Sequence, residues 1–117
     1  MDAVAQSPPV LDVTSVLHAL ADPVRFELVR QLRYAEDPIA CGRFDTPVAK
    51  STLSHHFKIL REAGIIATHR DRGRTLNTLR TREIDEAFPG LLDALLTTDK
   101  DAGTHQQNRF ASKQSRC

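Results

Sequence analysis

"KSTLSHHFKIL", residues Lys50–Leu60, is the stretch on which the reading of this chain turns. It carries two adjacent histidines, His55 and His56, and Cys41 lies a short way upstream. Histidine and cysteine are common metal ligands. Hydroxyls, histidine and lysine on one helix also suit a surface that touches DNA. The stretch is therefore a metal site, a catalytic pair or a nucleic-acid contact. Projected at about 100° per residue, Leu53, Phe57 and Leu60 fall on one stripe and predict a buried helical face. Ser51, His55, Lys58 and Glu62 gather on the opposite face, with Ser54 at its flank. His56 points about 100° away from His55, beside the apolar stripe. Neighbours on a helix do not share a face, and a helical metal pair needs i,i+4 spacing. His56 thus reads as a packed, hydrogen-bonded edge residue. His55 reads as an ordinary surface histidine or a contact.

Charge separates these readings further. The net charge is only +1, but it is unevenly spread. Residues 43–82 hold nine basic residues against Asp45, Glu62 and Asp71, whereas the flanking thirds are acidic. A confined basic patch is an electrostatic footprint for polyanions, although a solvated basic face would look the same.

Outward from this stretch, Ser7-Pro8-Pro9 marks residues 1–11 as flexible. Val13, Val16, Leu17 and Leu20 recur at helical spacing. Asp22-Pro23 restarts the chain as a cap and a first helical residue. Val24, Leu28, Val29 and Leu32 give the second helix its apolar face, ending near Tyr34. Pro38, Gly42 and Pro47 leave room for at most a short helical turn before the opening stretch. Gly64 is placed to stop that helix. Ile65–Arg70 and Arg74–Arg80 then read as strands joined at Asp71-Arg72-Gly73, with Gly73 free to take positive φ. Ile84, Phe88, Leu91, Leu92, Leu95 and Leu96 form a last helical face from about Glu83 to Thr98, interrupted at Pro89 by a kink or a fresh start. Residues 99–117 are polar and aperiodic and read as a disordered tail. The fold expected over residues 12–98 is mainly α with a β-hairpin wing, the order of a winged helix-turn-helix.

Other chemistries find little support. The length of 117 residues suits one domain. No apolar run approaches a membrane span, and the first ten residues lack the pattern of a signal peptide. Cys41 and Cys117 form no disulfide framework, which suits a reducing cytoplasm. Cys41, beside Gly42 and without a second nearby cysteine, reads as a small buried hydrophobe. Its functional alternative is a redox-sensing or metal-ligating thiolate. There is no phosphate loop, nucleophile elbow, zinc-protease motif or convincing carboxylate pair, so neither an enzyme nor a cofactor is expected.

Three strings, "LADPVRFELVRQL" (Leu20–Leu32), "KSTLSHHFKILREAGII" (Lys50–Ile66) and "HRDRGRTLNTL" (His69–Leu79), resemble the ArsR/SmtB family of bacterial winged-helix repressors. Asp22, Arg25 and Leu32 match the family's second-helix pattern. Ser51, Ser54, Phe57, Leu60 and Gly64 match its recognition helix, and Arg72-Gly73-Arg74 resembles its wing tip. The resemblance spans roughly residues 13–96. It implies a homodimer through the first and last helices, with Val13, Val16, Leu17, Leu20, Phe88, Leu91, Leu92 and Leu95 at the interface. It also implies paired recognition helices on a pseudo-palindromic operator. The family's metal motifs do not carry over. "IACGRFDTPVA" holds one cysteine where metal sensors carry two, and residues 83–98 contain no histidine. No metal site is expected.

The expected partner is double-stranded DNA. Lys50, Ser51, Thr52, Ser54, His55 and Lys58 would meet the major groove, and Arg70, Arg72 and Arg74 would hold phosphates or reach the minor groove. The role expected is a cytoplasmic transcriptional repressor whose effector the sequence does not name. Two alternatives stand beside it: release signalled through Cys41, and a winged helix used for protein contact without DNA.

Overall fold

The computed structural model describes residues 10–98, so the flexible start and polar tail expected from the sequence lie largely outside the described residues. Five helices and a three-stranded sheet follow one another as α1 (Val13–Leu20), α2 (Pro23–Tyr34), β1 (Ile39–Ala40), α3 (Lys50–Glu62), β2 (Ile66–Asp71), β3 (Arg74–Leu79), α4 (Thr81–Ala87) and α5 (Leu91–Thr98). A single 3-10 turn, Cys41–Arg43, follows β1. This is the expected winged helix-turn-helix order.

The helix starts follow from side-chain chemistry. Asp12 caps α1 by accepting from the Ser15 amide, and Asp22 caps α2 by accepting from the amides of Val24 and Arg25. Both use a carboxylate to satisfy amides that have no partner within the helix. The α3 start differs: Ala49 stands at its cap and no side chain bonds its first amides. Gly64, at φ +82°, ends the α3 region as expected. Its neighbour Ile65 donates its amide to the Leu60 carbonyl.

The core is the predicted aliphatic one. Leu28 and Val29 of α2, Leu53, Phe57 and Leu60 of α3, Ile65, Ile84, Leu92 and Leu96 are all buried. Phe44, from the segment before α3, meets Phe57 with ring centroids 5.1 Å apart. The α1 stripe does not behave as one surface. Val16 and Leu20 face this core, whereas Val13 and Leu17 are 41% and 44% exposed. A helix this short packs one narrow edge on its own protomer and leaves the adjoining edge outside.

Two features differ from the expectation, and a third settles one of its alternatives. First, the wing is a three-stranded sheet in the order β1-β3-β2, not a bare hairpin. Ile39 and Ala40 pair with Asn77 and Leu76 across a long stretch of intervening chain. Second, the hairpin loop is shorter than Asp71-Arg72-Gly73, because Asp71 pairs with Arg74. The two residues left, Arg72 and Gly73, have φ of +54° and +81°. Positive φ at both central positions marks a type I′ turn, whose twist matches that of the strands. Third, of the kink or fresh start expected at Pro89, the fold takes the fresh start, since α4 stops at Ala87 and α5 starts at Leu91. Pro89 lacks an amide hydrogen and Gly90 takes φ +85°, so the chain restarts there.

Candidate nucleic-acid interface

On α3 the outward set is intact. Lys50, Ser51, Thr52, Ser54, His55 and Lys58 are all exposed, while Leu53, His56, Phe57 and Leu60 of the same helix are buried. Lys58 pairs with Glu62 one turn on, at 3.3 Å. Both ends of that pair are well exposed, so it contributes little to stability and leaves the ammonium able to exchange partners. The helix begins without a side-chain cap, and Ser51 and Thr52 in its first turn are exposed.

The wing supplies the second cluster. Arg70, Arg72 and Arg74 are exposed at the end of the β2–β3 hairpin. Arg72 is the only non-glycine residue with positive φ among the described residues. The wing root is joined to α3: Arg80 donates Nη1 to the Gly64 carbonyl at 2.7 Å, and its amide to the Ile65 carbonyl at 2.9 Å.

The side of α3 away from this surface is fixed by contacts the sequence hinted at only weakly. Gln31 of α2 makes a two-way clamp on the backbone of Asp45. It accepts from the Asp45 amide at 3.0 Å and donates to the Asp45 carbonyl at 2.9 Å. Arg25, also on α2, is buried and reaches His56 and the end of α1. His56 is therefore the packed, hydrogen-bonded residue expected. Burial holds its pKa below the ordinary histidine value; the Asp22 carboxylate opposes that, and the positive charges of Arg25 and His55 reinforce it. Burial works to raise the pKa of Asp22, but the Arg25 and Val24 amides, with His56 and Arg25, hold it below the usual range. One signal for Arg25 was visible. It lies within about 60° of Leu28, Val29 and Leu32 on the helix projection, so an arginine occupies the apolar face. Asn77 is a third buried polar residue, after Arg25 and His56. It accepts from the Thr68 hydroxyl at 3.1 Å and donates to the Ile39 carbonyl at 3.2 Å, tying all three strands.

Cys41 is buried, as a small hydrophobe should be, and the Asn77 amide nitrogen lies 3.8 Å from its sulfur. It is also disulfide-bonded. Of the residues expected at a dimer interface, Val16, Leu20 and Leu92 are in the protomer's own core. Val13 and Leu17 are exposed, and Phe88, Leu91 and Leu95 are half-buried.

Comparison with known proteins agrees with this geometry. A family model described as a helix-turn-helix domain matches residues 20–69, which run from the end of α1 through α3 into β2. The chain is 34% identical over 82 residues to the HTH-type transcriptional regulator YceK of Bacillus subtilis, itself uncharacterized, covering 68% of this chain and 82% of that protein. The chain belongs to the HTH-type transcriptional regulators. Among solved structures, this HTH-type regulator is similar to the transcriptional repressor BigR from Xylella fastidiosa. The TM-score is 0.59 at 25% identity, over 80% of this chain and 88% of that one. It shares its fold with an ArsR family transcriptional regulator at TM-score 0.56 and 18% identity, over 80% of this chain and 98% of that one. As an HTH-type transcriptional regulator it is a DNA-binding protein, and no described helix is long and apolar enough to cross a membrane.

Proposed function

We propose that the protein is a homodimeric, sequence-specific repressor that reads a pseudo-palindromic operator with α3 and grips the flanking backbone with its wing. The observation that carries this reading is the division of α3 into two faces. Every residue expected to touch DNA is exposed, and the residues between them are buried in the protomer. Short hydroxyls at Ser51, Thr52 and Ser54 allow close approach to base edges, and the amides at the uncapped start of α3 suit phosphate. His55 and Lys58 follow on the same face. Arg70, Arg72 and Arg74 supply charge that is read as salt-dependent affinity.

The second copy in this reading covers the exposed Val13 and Leu17 of α1, together with the half-buried Phe88, Leu91 and Leu95. Two-fold pairing also fits a helix-turn-helix protein on two half-sites about one DNA turn apart. The same role places the protein in the cytoplasm with its DNA. Similarity to a protein named as a repressor supports repression over activation.

The test is binding to the DNA upstream of its own gene, titrated against salt, with scrambled DNA as control and sedimentation for oligomeric state. A dimer with marked preference for the native DNA is the expected result. Equal affinity for both DNAs overturns the operator reading, and a monomer at binding concentrations overturns the dimer.

A further inference from the structure

We propose that Arg25 and His56 are positioning residues for DNA reading: their buried guanidinium–imidazole contact sets α3 against the end of α1 and works only with a neutral imidazole. The inference rests on the reading of α3 as the DNA-contacting helix.

Both residues are 8% exposed. Arg25 donates Nε to the Ala19 carbonyl at 2.7 Å and Nη2 to the His18 carbonyl at 3.5 Å. Those carbonyls belong to the last turn of α1, where helix carbonyls lack partners within the helix and a cation is favoured. The remaining reach of the guanidinium, Nη1, lies 3.2 Å from His56 Nδ1. One side chain therefore joins three helices: α2, which carries it; α1, whose end it caps; and α3, which it meets at His56.

The chemistry of this contact is directional. A guanidinium has donors and no acceptor. His56 Nδ1 must then offer a lone pair, so the ring is neutral with its proton on Nε2. A proton on Nδ1 would set N–H against N–H, and a doubly protonated ring would also bring two cations together in a buried place. The charged groups acting on His56 are Asp22 and Arg25 from α2 and its cap, and His55 from its own helix. Only Asp22 favours the protonated ring, and its carboxylate is already held by the Val24 and Arg25 amides. From α1, the His18 and Ala19 carbonyls act through Arg25.

His56 shares its helical turn with Ser54, His55 and Lys58, which face outward. A shift at His56 moves them with it. The sign follows from the ring being held neutral. The positioned state is complete above the ordinary histidine pKa of about 6.5 and is lost as pH falls from there toward the depressed value of the folded protein.

The test compares wild type with His56→Asn, whose side-chain oxygen can accept from Arg25 and cannot take up a proton in this range. Both proteins retain His55, so its titration at the DNA face cancels. The probe is a duplex recovered by the wild-type protein from a random-sequence pool at about pH 7.5, with affinity then measured down to about pH 5.5. The expected result is a several-fold loss of wild-type affinity on acidification and a flatter profile for His56→Asn. Superimposable profiles overturn the proposal. Nitrogen NMR of the His56 ring in the free protein gives an arm independent of DNA. An unprotonated Nδ1 at neutral pH supports the proposal, and a protonated Nδ1 overturns it. If the wild type binds no DNA, the proposed function fails by itself. Amide exchange in α3 then decides positioning: faster exchange in acid for wild type but not for His56→Asn supports it, and equal behaviour overturns it.

Discussion

Replacing Arg72 by asparagine should move stability and DNA affinity in opposite directions. Arg72 stands at φ +54° in a two-residue turn with Gly73 at +81°. A left-handed backbone costs an ordinary L-residue about 1–2 kcal/mol. Asparagine tolerates that conformation far better, and Asn-Gly is the favoured pair for a type I′ turn. Arg72→Asn should therefore recover part of the penalty, about 0.5–1 kcal/mol. The same change removes one exposed cation from the wing tip. If each Arg72 neutralises one phosphate, the slope of log affinity against log salt should fall by about 0.9 per protomer, or about 1.8 for a dimer. Urea unfolding at fixed protein concentration reads the first quantity, and fluorescence anisotropy on a labelled operator over a range of salt reads the second. Arg72→Lys is the control: it keeps the cation and the backbone penalty, so both measurements should stay near wild type. A less stable Arg72→Asn protein would refute the argument about the turn. An unchanged salt slope would refute phosphate contact by Arg72.

Other outcomes can be stated more briefly. Leu60→Ala, at a fully buried position of α3, should destabilise by about 2–5 kcal/mol in denaturant titration. Asp22→Ala removes the acceptor for the Val24 and Arg25 amides and should lose about 1 kcal/mol. Because the Asp22 pKa is lowered by folding, its contribution is complete above the ordinary carboxylate range and fades as pH falls through the folded value. The gap between wild type and Asp22→Ala should then narrow in acid, which denaturation at several pH values would check. Leu17→Glu puts a charge on an exposed apolar position of α1. It should give a folded monomer by sedimentation and circular dichroism, whereas an unchanged dimer would remove α1 from the interface.

The parts of the fold legible in the sequence are those governed by local rules. Asp22-Pro23 announces a helix start, Leu53/Phe57/Leu60 a buried face, and Gly64 a stop, and each is found there. The outward face of α3 follows from the same projection. What escaped depends on contacts distant in sequence. A strand of two residues, Ile39–Ala40, is too short to show a period, and it forms only because β3 offers an edge. The two edges of α1 carry similar residues, so periodicity could not tell which of Val13, Val16, Leu17 and Leu20 face the protomer's own core. The Gln31 clamp and the Arg25–His56 contact are polar pairings across helices, and no spacing rule announces their partners.

The clasp of β1 onto β3 has a mechanical consequence. Before α3 the chain is pinned by β1, by Phe44 against Phe57 and by Gln31 on Asp45; after it, by Arg80 on Gly64. The helix and the wing are thus lashed at both ends into one stiff reading head, with no slack segment between them to serve as a hinge. In the proposed dimer, fitting DNA with different half-site spacings then falls to the seam between two copies, and the tolerance of the protein for operator spacing should measure how compliant that seam is.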